Sequence, residues 1–218
     1  MGHKVHPISF RIPYIKDWKG SWFAGKRAYK NYLGVDIKVR EILKTNLTGI
    51  PLWDILVSRD QDTVHVDVYT AKTALVLGKT GENIEKLQAL IQKKTGFKTV
   101  ISVKEIRKPD TSAKIVGFMI ANQIEKRMPY KKAIKQAIAK AIEKGAKWMK
   151  VKVGGRLNGT EIARVETFKE WSIPTLTIRA DIDYCSTRAE TMYGSVGLKV
   201  WIYKGEVHKK DKEARNEE

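Results

Sequence analysis

Hydrophobic and polar positions between residues 35 and 106 change their spacing several times, and each change predicts a new element. An apolar stripe at helical spacing predicts a first helix that is capped by Asp36 and ends near Gly49. Two runs of β-branched and aromatic residues, 53–58 and 64–69, are separated by a polar turn and predict a β-hairpin. The pattern then predicts two further helices and a strand, over residues 71–77, 82–95 and 97–106.

The second half of the chain is also predicted to contain helices and strands, with two helices before the strands. Helical spacing predicts two helices over about 112–127 and 130–144, separated at Met128-Pro129. Four strands are expected near residues 149–153, 161–167, 175–183 and 199–203. The fold class is therefore α+β, with a second α/β sandwich of two helices on a four-stranded sheet.

Changes in composition suggest where the domains begin and end. Residues 1–34 mix glycine, proline, aromatic and basic residues without a period, and we expect an extended arm. Arg107-Lys108-Pro109-Asp110 has the charge and proline of a linker. The predicted division is an arm over 1–34, domains over 35–107 and 108–207, and a frayed tail over 208–218.

Composition narrows the functional class. The 218 residues carry 42 Lys and Arg against 24 Asp and Glu, a net charge of +18, which favours a polyanionic partner. A hydrophobic fraction of 42% is too high for a disordered basic tail. No apolar run approaches the ~18 residues of a membrane span. We also expect no export, and the single Cys185 is compatible with a reducing cytoplasm.

The motif Gly78-Lys79-Thr80-Gly81 lies between two predicted short helices, after a hairpin and before a strand. This context is that of a KH module with its GXXG loop, which binds about four nucleotides of single strand. Glycines let the backbone approach a sugar-phosphate chain, and the following helix offers free N–H groups. The simpler interpretation, in which the glycines only cap helices, stays open for the motif taken alone.

Other motifs do not support catalysis. The loop lacks the glycine of a P-loop, which would stand at Thr73, and the segment 20–26 is followed by Arg27 instead of a metal-binding hydroxyl. Asp181 and Asp183 are expected to share a face of a strand with Arg179 and to form a surface ion pair. The four histidines match no metal motif. We therefore expect no enzyme activity, catalytic residue, metal or cofactor.

A basic segment from Lys126 to Arg156 contains eleven bases and one acid. Ile134, Ile138 and Ile142 recur every four residues and predict the buried stripe of its helix. The lysines recur on the opposite face without the acids that would form i,i+4 pairs, so this face is suited to phosphates.

The chain is similar to the bacterial-type small-subunit ribosomal protein S-three family from Gly2 to Glu206. The matching motifs, besides the GXXG loop, are Gly2-His3-Lys4-Val5-His6-Pro7, Ser21-Trp22-Phe23-Ala24, Arg107-Lys108-Pro109, Gly155-Arg156-Leu157-Asn158-Gly159, Glu161-Ile162-Ala163-Arg164, Arg179-Ala180-Asp181-Ile182-Asp183-Tyr184 and Gly197-Leu198-Lys199-Val200-Trp201-Ile202. The resemblance implies a type II KH domain and a carboxy-terminal α+β domain in the head of the small ribosomal subunit, in the cytoplasm of a bacterium or encoded by an organelle genome.

The resemblance also implies partners: small-subunit rRNA, mRNA and neighbouring head proteins of the S-ten and S-fourteen families, without a membrane and without independent homo-oligomers. The residues expected to face the channel through which mRNA enters are Lys131, Lys132 and Lys135. Those expected to bind rRNA are Lys126, Arg127, Lys140, Lys144, Lys147, Lys150, Lys152, Arg156, Arg164 and Arg179. A free KH regulator or assembly factor, and an RNA-processing or nucleotide-hydrolysing enzyme, are the alternatives.

Overall fold

The chain folds into two units that differ in the order of their strands and helices. The computed structural model describes residues 4–60, 63–78 and 81–207. The first unit comprises residues 18–107, and the second combines residues 4–17 with residues 108–207. Each has its own apolar core.

The first unit packs helices on one face of a four-stranded sheet. Its elements are β1 Gly20–Ser21, α1 Lys26–Asn46, β2 Leu52–Arg59, β3 Thr63–Thr70, α2 Thr73–Leu77, α3 Glu82–Thr95 and β4 Lys98–Glu105. The sheet order is β1-β2-β3-β4, with β2 antiparallel to β3 and the outer pairs parallel. Val64, Val66 and Val68 of β3 face the core, and the residues between them face outward. This arrangement confirms the predicted hairpin and helices.

The helix α1 begins at Lys26, earlier than the start predicted at Asp36. Tyr29 and Tyr32 lie three residues apart and both pack on Trp22, with ring centroids 5.5 and 6.0 Å away. The first turns are thus fixed by aromatic contacts, whereas the prediction followed aliphatic residues only. Residues 26–34, expected within an arm, are helical.

The second unit is a two-layer sandwich. Its elements are α4 Ala113–Glu125, α5 Tyr130–Glu143, β5 Trp148–Gly155, β6 Arg164–Glu170, β7 Ala180–Thr191 and β8 Gly194–Glu206. The strands are antiparallel in the order β6-β5-β8-β7. Ile134 and Ile138 of α5 pack with Met149, Val151 and Val200 on the inner face of this sheet. The predicted two helices on four strands are confirmed.

The third strand of this sheet lies later than predicted, over 180–191 instead of 175–183. Arg11 explains part of the difference, because its guanidinium donates hydrogen bonds to the carbonyls of Thr175 and Thr177. These carbonyls are therefore bonded to a side chain and not to a neighbouring strand. The strand continues through residues 186–190, whose polar, alanine-containing sequence hides its alternation.

Candidate nucleic-acid interface

The GXXG loop joins α2 to α3 in the first unit. Gly78 and Gly81 both have left-handed backbone conformations, with φ of +77° and +86°. A side chain at Gly78 would in addition collide with Asn83, since its Cβ would lie 2.9 Å from Nδ2. The glycines are thus required by the turn itself. Lys79 and Thr80 lie outside the described residues.

Acidic residues follow this loop directly. Glu82 and Glu85 occupy the first turn of α3. Carboxylates stabilise a helix N-terminus by interacting with its dipole, and they also repel a phosphate placed there. The first turn of α3 is therefore less suited to bind a nucleic-acid backbone than the loop motif alone suggests.

The helix α5 presents lysines on its exposed side. Lys131, Lys132 and Lys135 are exposed in its first turns, which contain no acidic residue. The positive charges of these three lysines repel one another and also repel the positive end of the helix dipole. A bound anion would weaken both repulsions. Lys140 and Lys144 continue this exposed side, while Ile134 and Ala141 are buried beneath it.

A second basic surface lies on the outer face of the second sheet, which no helix covers. We call it the outer lysine face and define it by Lys150 and Lys152 of β5, Lys169 of β6, Lys199 of β8, and the rings of Tyr184 and Trp201. Lys152 is registered directly opposite Lys199, and Lys150 is registered between Lys169 and Trp201. Like charges directly opposite on neighbouring strands destabilise a sheet.

Aromatic rings alternate with these lysines. The ammonium of Lys150 lies 5.5 Å from the centroid of the Trp201 ring, and Trp201 packs at 5.2 Å on Tyr184. His6 of the amino-terminal segment meets the Tyr184 ring edge-on at 4.8 Å. The face thus combines cations for phosphates with rings for bases or sugars, as single-strand binding surfaces do.

The electrostatics of the outer lysine face are unbalanced. Burial lowers the pKa of Lys150, and the neighbouring charges of Lys4, Lys169 and Lys152 lower it further. Within residues 4–60, 63–78 and 81–207, no carboxylate forms a salt bridge with Lys150, Lys152, Lys169 or Lys199. A phosphate chain would supply the missing negative charge.

The predicted rRNA-binding residues do not form one surface. Lys140 and Lys144 lie on the helical side of the second unit, and Lys150 and Lys152 lie on the opposite side of its sheet. Five others are exposed elsewhere on the same unit: Lys126, Arg127, Lys147, Arg156 and Arg164. The consecutive strand and helix separate residues that are close in sequence.

Residues of the outer lysine face were partly missed by sequence reasoning. Lys169, Lys199, Tyr184 and Trp201 join it only through strand pairing. The alternation of Lys199 and Trp201 with buried Leu198, Val200 and Ile202 was the available signal for the β8 residues.

Arg179 does not pair with Asp181 or Asp183 as expected. Its Nε lies 2.8 Å from Glu206 Oε2. Asp181 lies 3.1 Å from the ammonium of Lys16, and Asp183 accepts a hydrogen bond of 3.0 Å from the N–H of Ala113 at the start of α4. Both carboxylates are buried and hold elements of the second unit together.

The described residues provide neither a metal site nor a membrane-spanning helix. The described residues contain no group of three metal-ligating side chains. Among the same residues, no helix combines the length and apolar character that crossing a bilayer requires.

Comparisons with known proteins agree with the geometry. Residues 38–111 match the sequence model of the KH domain, and residues 120–202 match that of "Ribosomal protein S3, C-terminal domain". Proteins named "Small ribosomal subunit protein uS3" are 45% identical in Xanthomonas euvesicatoria pv. vesicatoria and 44% identical in Photobacterium profundum. Both alignments cover 95% of this chain, with 85% and 90% of the respective relatives. This similarity, together with the KH unit and the sandwich that follows it, shows that the chain belongs to the ribosomal protein S3 family.

Proposed function

We propose that this chain is a structural component of the small subunit of a bacterial-type cytoplasmic ribosome and binds small-subunit rRNA through the outer lysine face. The relatives' printed name and the KH domain support the ribosomal and RNA-binding part of this function. The role is structural and not enzymatic, and requires no cofactor or metal.

One observation carries the assignment of rRNA binding to this face. Lys152 and Lys199 oppose each other across two paired strands without a carboxylate partner among the described residues. A surface built only for solubility would intersperse acids to lower this repulsion. Neutralising the lysines with phosphates releases counterions from the RNA and supplies binding free energy.

Sedimentation tests the ribosomal assignment. Lysate of the source cell is separated on sucrose gradients at moderate and high salt, and the chain is quantified by mass spectrometry. We expect stoichiometric migration with small subunits in both gradients. Migration at the top of both gradients would contradict the proposal and favour a free KH regulator or an assembly factor.

We further propose that Lys131, Lys132 and Lys135 contact incoming mRNA. Their exposure at the first turns of α5 supports this role. The chain has no nucleotide-hydrolysis motif, so unwinding would come from translocation that pulls a duplex against these charges.

Alanine at these three positions should slow translation of a message with a stable hairpin and leave an unstructured message unaffected. A matched control replaces Lys93, Lys94 and Lys98, three exposed lysines of the first unit. Ribosomes that carry either variant should contain the protein at normal stoichiometry. An unchanged rate on the hairpin message would contradict the mRNA role.

Neighbouring head proteins of the S-ten and S-fourteen families complete the proposed set of partners. The connection between β6 and β7 exposes Trp171 and Leu176 to 74% and 89%, which is compatible with a protein neighbour. Crosslinking from Leu176, replaced by a photoreactive residue, should capture one of these two proteins in intact subunits. Crosslinks to rRNA alone would contradict this contact.

A further inference from the structure

A cavity of about 580 Å³ opens at one end of the second unit. Three loops line it: the turn between α4 and α5, the 3₁₀ turn Leu157–Gly159 after β5, and the hairpin turn between β7 and β8. Its volume lies within the ~300–1,000 Å³ of pockets that bind small ligands. None of the residues assigned above to the outer lysine face lines it.

Two arginines stand at this cavity. Arg127 has a left-handed backbone with φ of +63°, which a non-glycine residue adopts at a cost in free energy of about 1 kcal/mol or more. Among the described residues, its guanidinium donates one hydrogen bond, of 3.1 Å, to Met192 Sδ. Arg156 donates from Nε to the carbonyl of Thr160 at 2.9 Å. Both guanidinium groups keep further N–H donors, which suit phosphate oxygens.

A tyrosine ring is fixed at the same cavity. The ring of Tyr193 lies directly over Gly159, where a Cβ would come within 2.9 Å of two ring carbons. The Arg156 guanidinium lies 6.0 Å from the centroid of this ring. The side chain nevertheless remains 59% exposed. A ring with one supported side and an open side is a platform on which a flat group can stack.

Acidic groups complete the lining. Glu125 accepts a hydrogen bond of 3.0 Å from the N–H of Glu190. Carboxylate oxygens that remain free can accept hydrogen bonds from the amino group of a nucleobase. The cavity thus combines donors for a phosphate, a ring for a base and acceptors for an amino group.

We propose that this cavity binds one unpaired nucleotide of RNA, with its base stacked on Tyr193 and its phosphate held by Arg127 and Arg156. The inference rests on the proposed RNA-binding function and adds to it an enclosed site for a single base. It is separate from the outer lysine face, where like-charged side chains bind phosphates without an enclosed pocket.

Two synthetic probes isolate the contribution of the base. One is a nine-unit RNA backbone of abasic sites with a single central 2-aminopurine, and the other is abasic throughout. Affinities for the full chain are measured by anisotropy of a terminal fluorophore, and stacking is measured by quenching of 2-aminopurine. We expect the unvaried chain to bind the 2-aminopurine probe about tenfold more tightly, because base–aromatic stacking supplies about 1–3 kcal/mol.

Substitutions test whether Tyr193 causes the tighter binding of the 2-aminopurine probe. Tyr193→Leu should remove the preference and the quenching, whereas Tyr193→Phe should retain both because it keeps the ring. Tyr14→Leu, which removes an exposed tyrosine outside the cavity, should behave as the unvaried chain does. Arg127→Gln should weaken binding of both probes by several-fold, more than Arg107→Gln at an exposed site in the first unit.

The outcomes separate this inference from the proposed function. Equal binding of both probes by the unvaried chain, or a preference that survives in Tyr193→Leu, would overturn the nucleotide pocket and leave RNA binding intact. Binding of neither probe at moderate salt would overturn the RNA-binding function itself. Thermal unfolding of each variant identifies any loss that results from misfolding, and Tyr193→Phe then still tests the ring.

Discussion

Each sheet packs helices against one face, and the opposite faces of the two sheets differ in how their lysines are paired. On the first sheet, Lys104 lies 2.7 Å from Asp67, and Lys19 lies 2.9 Å from Asp54. On the second sheet, Lys152 is opposite Lys199, and neither forms a salt bridge with a described carboxylate. The two lysines on the first sheet are therefore neutralised by carboxylates, whereas Lys152 and Lys199 on the second sheet repel each other.

The pKa values of Lys104 and Lys150 are shifted in opposite directions, in agreement with this difference in pairing. The hydrogen bond with Asp67 raises the pKa of Lys104. Burial and then the charges of Lys4, Lys169 and Lys152 lower the pKa of Lys150. A lysine whose charged form is disfavoured in the free protein gains from a bound anion, and one that already has a carboxylate gains less. This difference supports the proposed binding of RNA by the outer lysine face.

The largest expected effect is a loss of stability on substitution of Arg11, whose hydrogen-bond partners all lie within the second unit. Arg11 is fully buried and donates hydrogen bonds to the carbonyls of Pro7, Thr175, Thr177 and Ala180, at 2.7 to 3.0 Å. Arg11→Met should lower the free energy of unfolding by about 3 kcal/mol or more, because one buried and three partly buried carbonyls lose their donors. Denaturant unfolding measures the change.

The control for this prediction is Arg27→Met, at an exposed site in the first turn of α1. It should change the free energy of unfolding by less than about 0.5 kcal/mol. Equal effects of the two substitutions would mean that Arg11 does not anchor the amino-terminal segment. Intact secondary structure with a lower denaturation midpoint would confirm that it does.

A smaller effect is expected for RNA binding by the outer lysine face. The double variant Lys152→Gln, Lys199→Gln should weaken binding of small-subunit rRNA by about tenfold at 0.1 M salt. It should also reduce the slope of log affinity against log salt by about two, since two phosphate contacts are lost. Filter binding over a series of salt concentrations measures both quantities.

Lys19→Gln with Lys104→Gln is the matched control on the first sheet. These lysines already have carboxylate partners, so the salt slope should change by less than half as much. A larger loss in the control than in the Lys152 and Lys199 variant would reverse the assignment of the binding face.

The sequence was sufficient to predict the fold class and most of the helices and strands, because aliphatic periodicity marks both cores. It could not predict which basic residues share a surface. Lys150 and Lys152 were grouped with Lys140 and Lys144 by proximity along the chain, yet helix and strand present these pairs on opposite sides. Strand order is a non-local property, so the pairing of Lys152 with Lys199 leaves no local signal.

The spacing of hydrophobic residues also could not predict where β7 begins. Its start depends on Arg11, which is more than 160 residues away in sequence and donates hydrogen bonds to the carbonyls of Thr175 and Thr177 before the strand. The aromatic contacts of Trp22 likewise fix the start of α1 through partners that alternation of aliphatic residues does not reveal. Long-range side-chain contacts thus account for the main differences between prediction and structure.

A still smaller effect is expected from reversing single charges. Lys152→Glu places opposite charges on directly paired residues and should raise the free energy of unfolding by about 0.2–1 kcal/mol. Lys104→Glu removes the partner of Asp67 and should lower it by a similar amount. Urea unfolding at low salt compares the two variants, and 1 M salt should reduce both changes. Destabilisation by Lys152→Glu would show that the opposed lysines do not repel in the free protein.

The smallest effect is a difference in titration between two lysines. Because the folded-state pKa of Lys150 lies below the ordinary 10.5, its charged form opposes folding at lower pH, and this penalty disappears as pH rises towards 10.5. The raised pKa of Lys104 has the opposite sign, so its stabilisation is present below 10.5 and is lost as pH rises through the raised value. Carbon-13 NMR of the lysine Cε atoms measures both, with Lys150→Gln and Lys104→Gln spectra for assignment.

Adding a nucleic acid should change only one of these titrations. A 2′-O-methyl RNA, which resists alkaline hydrolysis, should raise the pKa of Lys150 and leave that of Lys104 unchanged, because only the former lies on the proposed binding face. The complex would then take up protons at pH values between the depressed pKa of Lys150 in the free protein and its raised pKa in the complex. Equal shifts at both lysines would indicate unspecific condensation of RNA on a basic protein. A shift confined to Lys104 would place the binding face on the first sheet, against the charge balance of the two surfaces.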